Sequence, residues 1–202
     1  IEYQAFLAGF ISVLLSPDWR AAGLLPADGP LGAGLQEAYI NGGRYYCGVC
    51  APGWPLGAYY PQAVLLPAGS DGGSWQAAAA DLFDNQKVEA YYLSAAAARP
   101  EVYAYLQGRD QFGRTLLLVG DQQPPDELRG QWAATVSFDS LEPLRQLWPN
   151  VIAGQGGAAV EAPLRLTDVN QANLGEGRLR LAEELVGEIA AGRIYPFTLP
   201  QQ

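Results

Sequence analysis

The chain has 202 residues, 49% of them hydrophobic and 16% charged, with a formal net charge of −9 at pH 7. That balance describes a globular protein with a sizeable core, long enough for one large domain or for one lobe with pieces of another. It leaves no basic patch for phosphates, which argues against nucleic acid as a partner, and the absence of histidine excludes a Ser-His-Asp or Cys-His catalytic site within this chain.

No uncharged apolar run approaches the roughly 20 residues that span a bilayer. Residues 1–15 are the most hydrophobic stretch, yet they carry Glu2 and lack the basic start of a signal peptide. The chain contains no Met and opens without one, which reads as a processed or trimmed product.

Phe6, Leu7, Phe10, Ile11 and Leu14 recur at helical spacing and predict a first helix over residues 1–15, stopped by Ser16-Pro17-Asp18. Residues 20–25 read as a strand ending at Pro26-Ala27-Asp28-Gly29-Pro30. A second helix spans 31–41 and closes on Gly42-Gly43. Residues 44–60 read as an irregular segment rich in Tyr, Gly, Pro and Trp. From there the alternation is regular. A strand at 63–66 leads through a Gly-rich turn to a helix at 74–85 with Ser74 as N-cap. A strand at 88–93 leads through Ser94 to a helix around 100–107.

Strands at 115–119 and 132–136 follow, then a helix opened by Asp139 or Ser140 and running through Trp148. Residues 154–159 form a glycine-rich spacer, 163–169 look extended, and 177–191 form a final amphipathic helix. Short apolar strands alternating with helices predict an α/β fold, a doubly wound parallel sheet of five strands in the order 2-1-3-4-5.

Open α/β sheets bind ligands in the crevice beyond the carboxyl ends of their strands. Gly120 and Asp121 end one strand, and Ser137, Phe138 and Asp139 end the next. Asp121 offers a carboxylate to ligand hydroxyls or amines, or else caps its own turn. Phe138 offers a flat face for stacking, or else fills a surface. Ser137 and Asp139 are ligand contacts or helix caps, and Asp28 and Ser94 also stand just past strands. On these positions Asp121 and Phe138 are expected to converge on one crevice.

The turn at residues 69–73 lacks the Gly-Lys-Ser/Thr ending of a P-loop, and the sequence calls for no cofactor. Cys47 and Cys50 follow a predicted helix end instead of opening a helix, the reverse of a redox Cys-x-x-Cys. They read as a small structural disulfide of an exported protein. Two cysteines without histidine are too few to hold zinc unless carboxylates or a second chain help, and no metal site is expected.

Several segments together resemble the basic membrane protein family of substrate-binding lipoproteins. Ala5-Phe6-Leu7-Ala8-Gly9-Phe10 resembles its "FLAG" helix, Val119-Gly120-Asp121-Gln122 its Gly-x-Asp-x-Gln strand end, and residues 134–139 its next strand. Gly187-Glu188-Ile189 and Gly192-Arg193-Ile194 resemble its closing helix and Ile-x-x-Gly-x-Ile ending.

The resemblance implies the Rossmann-like second lobe of a two-lobed, type I periplasmic binding protein. Residues 1–160 would be the ligand-binding lobe and 161–202 the segment returning between lobes, with most of the first lobe absent. It also implies extracytoplasmic location, periplasmic or lipid-anchored, a small solute such as a nucleoside as ligand, and an ABC transporter permease as partner. Where the family carries a lysine that contacts a ligand hydroxyl, this chain has Phe138 and Asp139. An apolar surface is expected where the first lobe docks, at residues 163–170 and on the Phe6/Phe10 face, favouring self-association.

Two other readings stay open. One is a small α/β enzyme whose carboxylates Asp28, Asp121 and Asp139 do acid/base work or hold Mg²⁺. The other is a sensing or interaction domain that retains the binding fold.

Overall fold

Helix α1 (Glu2–Leu15) is apolar on every side, and its residues from Ala5 to Leu15 are buried without a break. A helix of that composition belongs in a core. It packs against four strands of the sheet and two other helices. The computed structural model describes residues 1–28, 32–52 and 58–197. Gly29, Pro30 and Leu31, at the expected start of the second helix, and residues 53–57 of the aromatic segment lie outside the described residues.

Strand β1 (Ala21–Pro26) is followed by α2 (Gly32–Cys47), β2 (Gln62–Leu66), α3 (Gly72–Asp84), β3 (Ala90–Leu93) and α4 (Pro100–Leu106). A two-stranded hairpin, β4 (Asp110–Gln111) with β5 (Arg114–Thr115), precedes β6 (Leu117–Gly120) and β7 (Trp132–Phe138). Helix α5 (Leu141–Ile152), strand β8 (Leu164–Thr167), the short α6 (Gln171–Leu174) and α7 (Glu176–Ala190) complete the chain.

The main sheet has the order β2-β1-β3-β6-β7-β8. Its first five strands are parallel, in the doubly wound order that the alternation predicts. The sixth, β8, is the extended segment at 163–169, and it adds antiparallel to β7. Both faces of the sheet are covered. On β3, Tyr91 donates to the Ala79 carbonyl of α3 (2.9 Å), while its neighbour Tyr92 stacks on Tyr39 of α2 with ring centroids 5.9 Å apart.

Several local expectations fail for identifiable reasons. Helix α2 does not close at Gly42-Gly43 but continues to Cys47. Those glycines serve close approach. A Cβ on Gly42 would stand 1.8 Å from the Phe6 carbonyl oxygen, and one on Gly9 would stand 2.0 Å from that of Tyr39. The two helices therefore cross backbone to backbone at a reciprocal pair of glycines. Cys47, the last residue of α2, is joined to Cys50 as a disulfide.

Helix α3 is capped by Asp71, not Ser74: its carboxylate accepts both the N–H and the hydroxyl of Ser74, each at 2.9 Å. The apolar run at 115–119 is split, because Phe112 and Gly113 both adopt positive φ (53° and 72°) and turn residues 110–115 into a hairpin of the primed type.

The Phe6/Phe10 face is not free. Both rings are buried and pack against Tyr45, and Phe10 also against Tyr46. Helix α5 leaves further apolar side chains uncovered: it buries none of its residues and exposes Leu141, Leu144, Trp148, Val151 and Ile152.

The helix crossing yields a paired prediction. Gly42→Ala should lower stability by roughly 1–3 kcal/mol, because the new methyl meets backbone that has nowhere to go. Gly187→Ala, on the exposed face of α7 with nothing within 4 Å of the new atom, should raise it by up to about 1 kcal/mol. Urea unfolding of both variants checks the opposite signs.

Candidate functional site

Strands β1, β3 and β6 lie side by side, so the residues just beyond them meet. Asp28, Ser94 and Asp121 all line one cavity of ≈ 610 Å³. Its walls are largely apolar, from Ile1 just before α1, Ala5 of α1, Leu25 and Pro26 of β1, and Leu35 of α2. A mostly apolar concavity with a few placed polar groups is the usual form of a small-molecule site.

Ser94 is held by its own backbone N–H, which donates to the Leu24 carbonyl (3.2 Å). Its hydroxyl is buried without a hydrogen-bond partner. Asp121 Oδ2 accepts from the Tyr92 hydroxyl (3.3 Å), while Asp121 Oδ1 is buried with no partner. Two orphaned polar atoms thus stand at the ends of neighbouring strands, beside the same cavity. Buried polar groups are paired in the great majority of cases, so such a cluster asks for a further partner. Asp28 is exposed and accepts the Ala68 N–H at 2.5 Å, tying the end of β1 to the segment after β2.

Three polar residues of this cavity escaped the sequence reading. Gln4, in the first turn of α1, donates to the Val136 carbonyl (2.7 Å). Arg99 donates to the carbonyls of Ala96 (3.0 Å) and Ala68 (3.1 Å). Tyr92 lies inside a strand, not at its end. The period-two pattern of β3 carried a signal for Tyr92, which shares a face with Ser94. Gln4 and Arg99 reach the cavity from helix starts, which nothing local marks.

The remaining candidates do not join them. Gly120 lies beneath Trp132, whose ring would meet a Cβ there at 2.4 Å; the glycine makes room for that indole. Strand β7 overshoots its neighbour, since Gly120 is level with Thr135 and Phe138 lies three residues further on, paired with Leu164 of β8. Phe138 therefore lines a different cavity, and Asp121 and Phe138 do not converge.

Ser137 pairs in register with Arg165. Asp139 is committed twice. It accepts the N–H groups of Leu141 (3.0 Å) and Glu142 (3.4 Å) at the start of α5, and it pairs with Arg165 at 2.6 Å. The carboxylates of Asp28, Asp121 and Asp139 thus do not gather at one point. Among the described residues no group of three His, Cys, Asp or Glu is placed to hold a metal ion.

No family model and no curated protein matches the sequence. Solved structures do match the fold. A crystal structure of ABC transporter system solute-binding proteins from Aeropyrum pernix K1 superposes over 100% of this chain with a TM-score of 0.66 at 17% identity. The chain has the fold of an ABC-transporter solute-binding protein. A second match is GanP, a glucose-galactose binding protein from Geobacillus stearothermophilus, over 86% of this chain with a TM-score of 0.53 at 15% identity. This chain spans less than two thirds of either protein, 65% of the first and 61% of the second.

At the strand-end cavity the electrostatics of Asp121 follow from its burial. Burial pushes its carboxyl above the usual carboxylate range, against the opposing pull of the nearby Ala95 amide and the Tyr92 hydroxyl. Burial, and then the Asp121 charge, hold the Tyr92 hydroxyl well above its ordinary value, so Tyr92 is the donor of the pair. A raised carboxyl pKa means that the folded state binds the proton more tightly than the unfolded chain. Its stabilising contribution is present in acid and is lost as pH rises through the raised value. Asp121→Asn should accordingly raise the urea midpoint near neutral pH, with the gain fading towards about pH 3 as the wild-type carboxyl takes up its proton. A lower midpoint at neutral pH would show that the charge is stabilised in place.

Proposed function

We propose that the chain is the ligand-binding lobe of an extracytoplasmic solute-binding protein serving an ABC importer, and that it holds a small hydroxylated solute at the ends of β1, β3 and β6. The observation that carries this reading is the pair of unpartnered acceptors and donors, Ser94 Oγ and Asp121 Oδ1, beside one cavity. A sugar or nucleoside hydroxyl donates to Asp121 and exchanges a hydrogen bond with Ser94, while the apolar walls take its carbon faces. Asp28 closes the rim. Its chemistry is recognition, with no bond broken. The fold supports the transport reading, as does the match to a protein described as a glucose-galactose binding protein.

The basic membrane protein family is our assignment within that fold. It rests on the order of the "FLAG" helix, the Gly120-Asp121 strand end and the closing residues 187–194. In that assignment residues 1–160 form the lobe proper, and 161–202 are the segment returning between lobes and the last helix. The uncovered apolar side chains of α5 and the greater length of both solved neighbours support a further lobe as the natural cover, with self-association when it is absent. The permease is the partner that such a protein delivers to.

Calorimetric titration with a panel of sugars and nucleosides tests the proposal. Loss of a charge-assisted hydrogen bond is worth about 1.5–3 kcal/mol, so Asp121→Ala should weaken binding of the best solute roughly 10- to 150-fold. Unchanged affinity with the fold intact would move the site elsewhere. Turnover of a panel member that depends on Asp121 would make the protein an enzyme.

A further inference from the structure

We infer that the second cavity, the one Phe138 lines, is a separate ligand site that takes a small organic cation such as a quaternary ammonium. It lies between the first turn of α1, the end of β7, the start of β8 and the last turns of α7, with a volume of ≈ 430 Å³. That is ample for a compact solute. It shares no lining residue with the strand-end cavity. The start of α1 divides the two, presenting Tyr3 to one and Ile1, Gln4 and Ala5 to the other.

Three features of this cavity favour positive charge. Its aromatic walls are Tyr3, Phe138 and Tyr195, and none of the three stacks on another ring among the described residues. A cation within about 6 Å of an aromatic face is attracted by the ring quadrupole. The carboxyl end of α7, a helix of 15 residues, contributes Val186, Ile189 and Ala190 to the lining. That end carries the negative pole of the helix, equivalent to roughly half an elementary charge.

The third feature is Glu161, the one charged residue of the lining. It makes no ion pair or hydrogen bond among the described residues. Arg165, four residues along the chain, and Arg193, next to the lining residue Gly192, are both committed elsewhere. Arg165 pairs with Asp139 at 2.6 Å, and Arg193 grips Glu188 through two bonds of 2.6 Å. An anion would face Glu161 and the negative helix end with no basic side chain in the lining to hold it. A neutral solute would leave both unused. A positively charged head set among the three rings uses all of them.

The probe is choline, with its uncharged tert-butyl analogue as control, titrated into the protein by calorimetry. Choline should bind saturably, and the analogue should bind at least about tenfold more weakly, within the range of a desolvated cation–π contact. Phe138→Ala should weaken choline by about 2- to 30-fold, and Glu161→Gln, which removes an exposed charge, by up to about 5-fold. Asp121→Asn should leave choline binding as it was. Glu161 is exposed, so its substitution keeps the fold and the result is interpretable even if Phe138→Ala is unstable. Absence of saturable choline binding, equal binding of the analogue, or a loss caused by Asp121→Asn and not by Glu161→Gln would each overturn the assignment. None of these outcomes depends on whether the strand-end cavity binds a sugar.

Discussion

Gly9 and Gly42 let α1 and α2 meet carbonyl to backbone, at distances where any side chain would collide. The geometry at the strand ends is built outward from that crossing. Helix α1, locked in this way and buried along most of its length, brings Gln4 and Ala5 to one cavity and Tyr3 to the other. Helix α2 carries Tyr39, whose ring lies against Gly23 of β1 and stacks on Tyr92. Tyr92 in turn donates to Asp121. A continuous line of packed contacts therefore runs from two glycines to the carboxylate on which the proposed recognition depends. Interiors packed this closely transmit displacement, so a shift at the crossing reaches the site.

Buried polar groups gather at both ends of the sheet. Near the strand starts, Glu89 is buried; its Oε2 accepts from the Ser16 hydroxyl at 2.6 Å, while its Oε1 has no hydrogen-bond partner and lies 3.6 Å from the Arg114 guanidinium. The same hydroxyl accepts the Arg20 N–H at 2.9 Å. That cluster ties the end of α1 to the starts of β1 and β3 and to β5. At the strand ends, Ser94 Oγ and Asp121 Oδ1 are buried without partners, and an unmet polar group costs on the order of 1–3 kcal/mol. Placing this cost where a ligand can relieve it is the expected arrangement for a binding site, since function tolerates local instability that the rest of the fold makes good.

Much of the architecture was legible in the residues because both signals it needed were local. Apolar runs of strand length between helical periodicities specified the parallel order, and the Gly-Asp and Ser stops marked the strand ends that adjoin in space. What failed was nonlocal. Gly42 reads as a helix stop in sequence, and only the partner helix reveals it as a point of contact. Asp121 and Phe138 both end neighbouring strands, yet the longer β7 carries Phe138 past the shared level and against β8. Gln4 and Arg99 reach the cavity from helix starts remote in sequence. No residue pattern announces such a convergence.

The central claim is that a solute completes the hydrogen bonding of Ser94 and Asp121. A crystal structure of the protein grown with its tightest-binding sugar or nucleoside tests it most directly. The account predicts the solute in the strand-end cavity, with hydroxyl oxygens within about 2.7–3.2 Å of Ser94 Oγ and of an Asp121 carboxylate oxygen. A solute bound elsewhere, with those two atoms still unpaired, would contradict it.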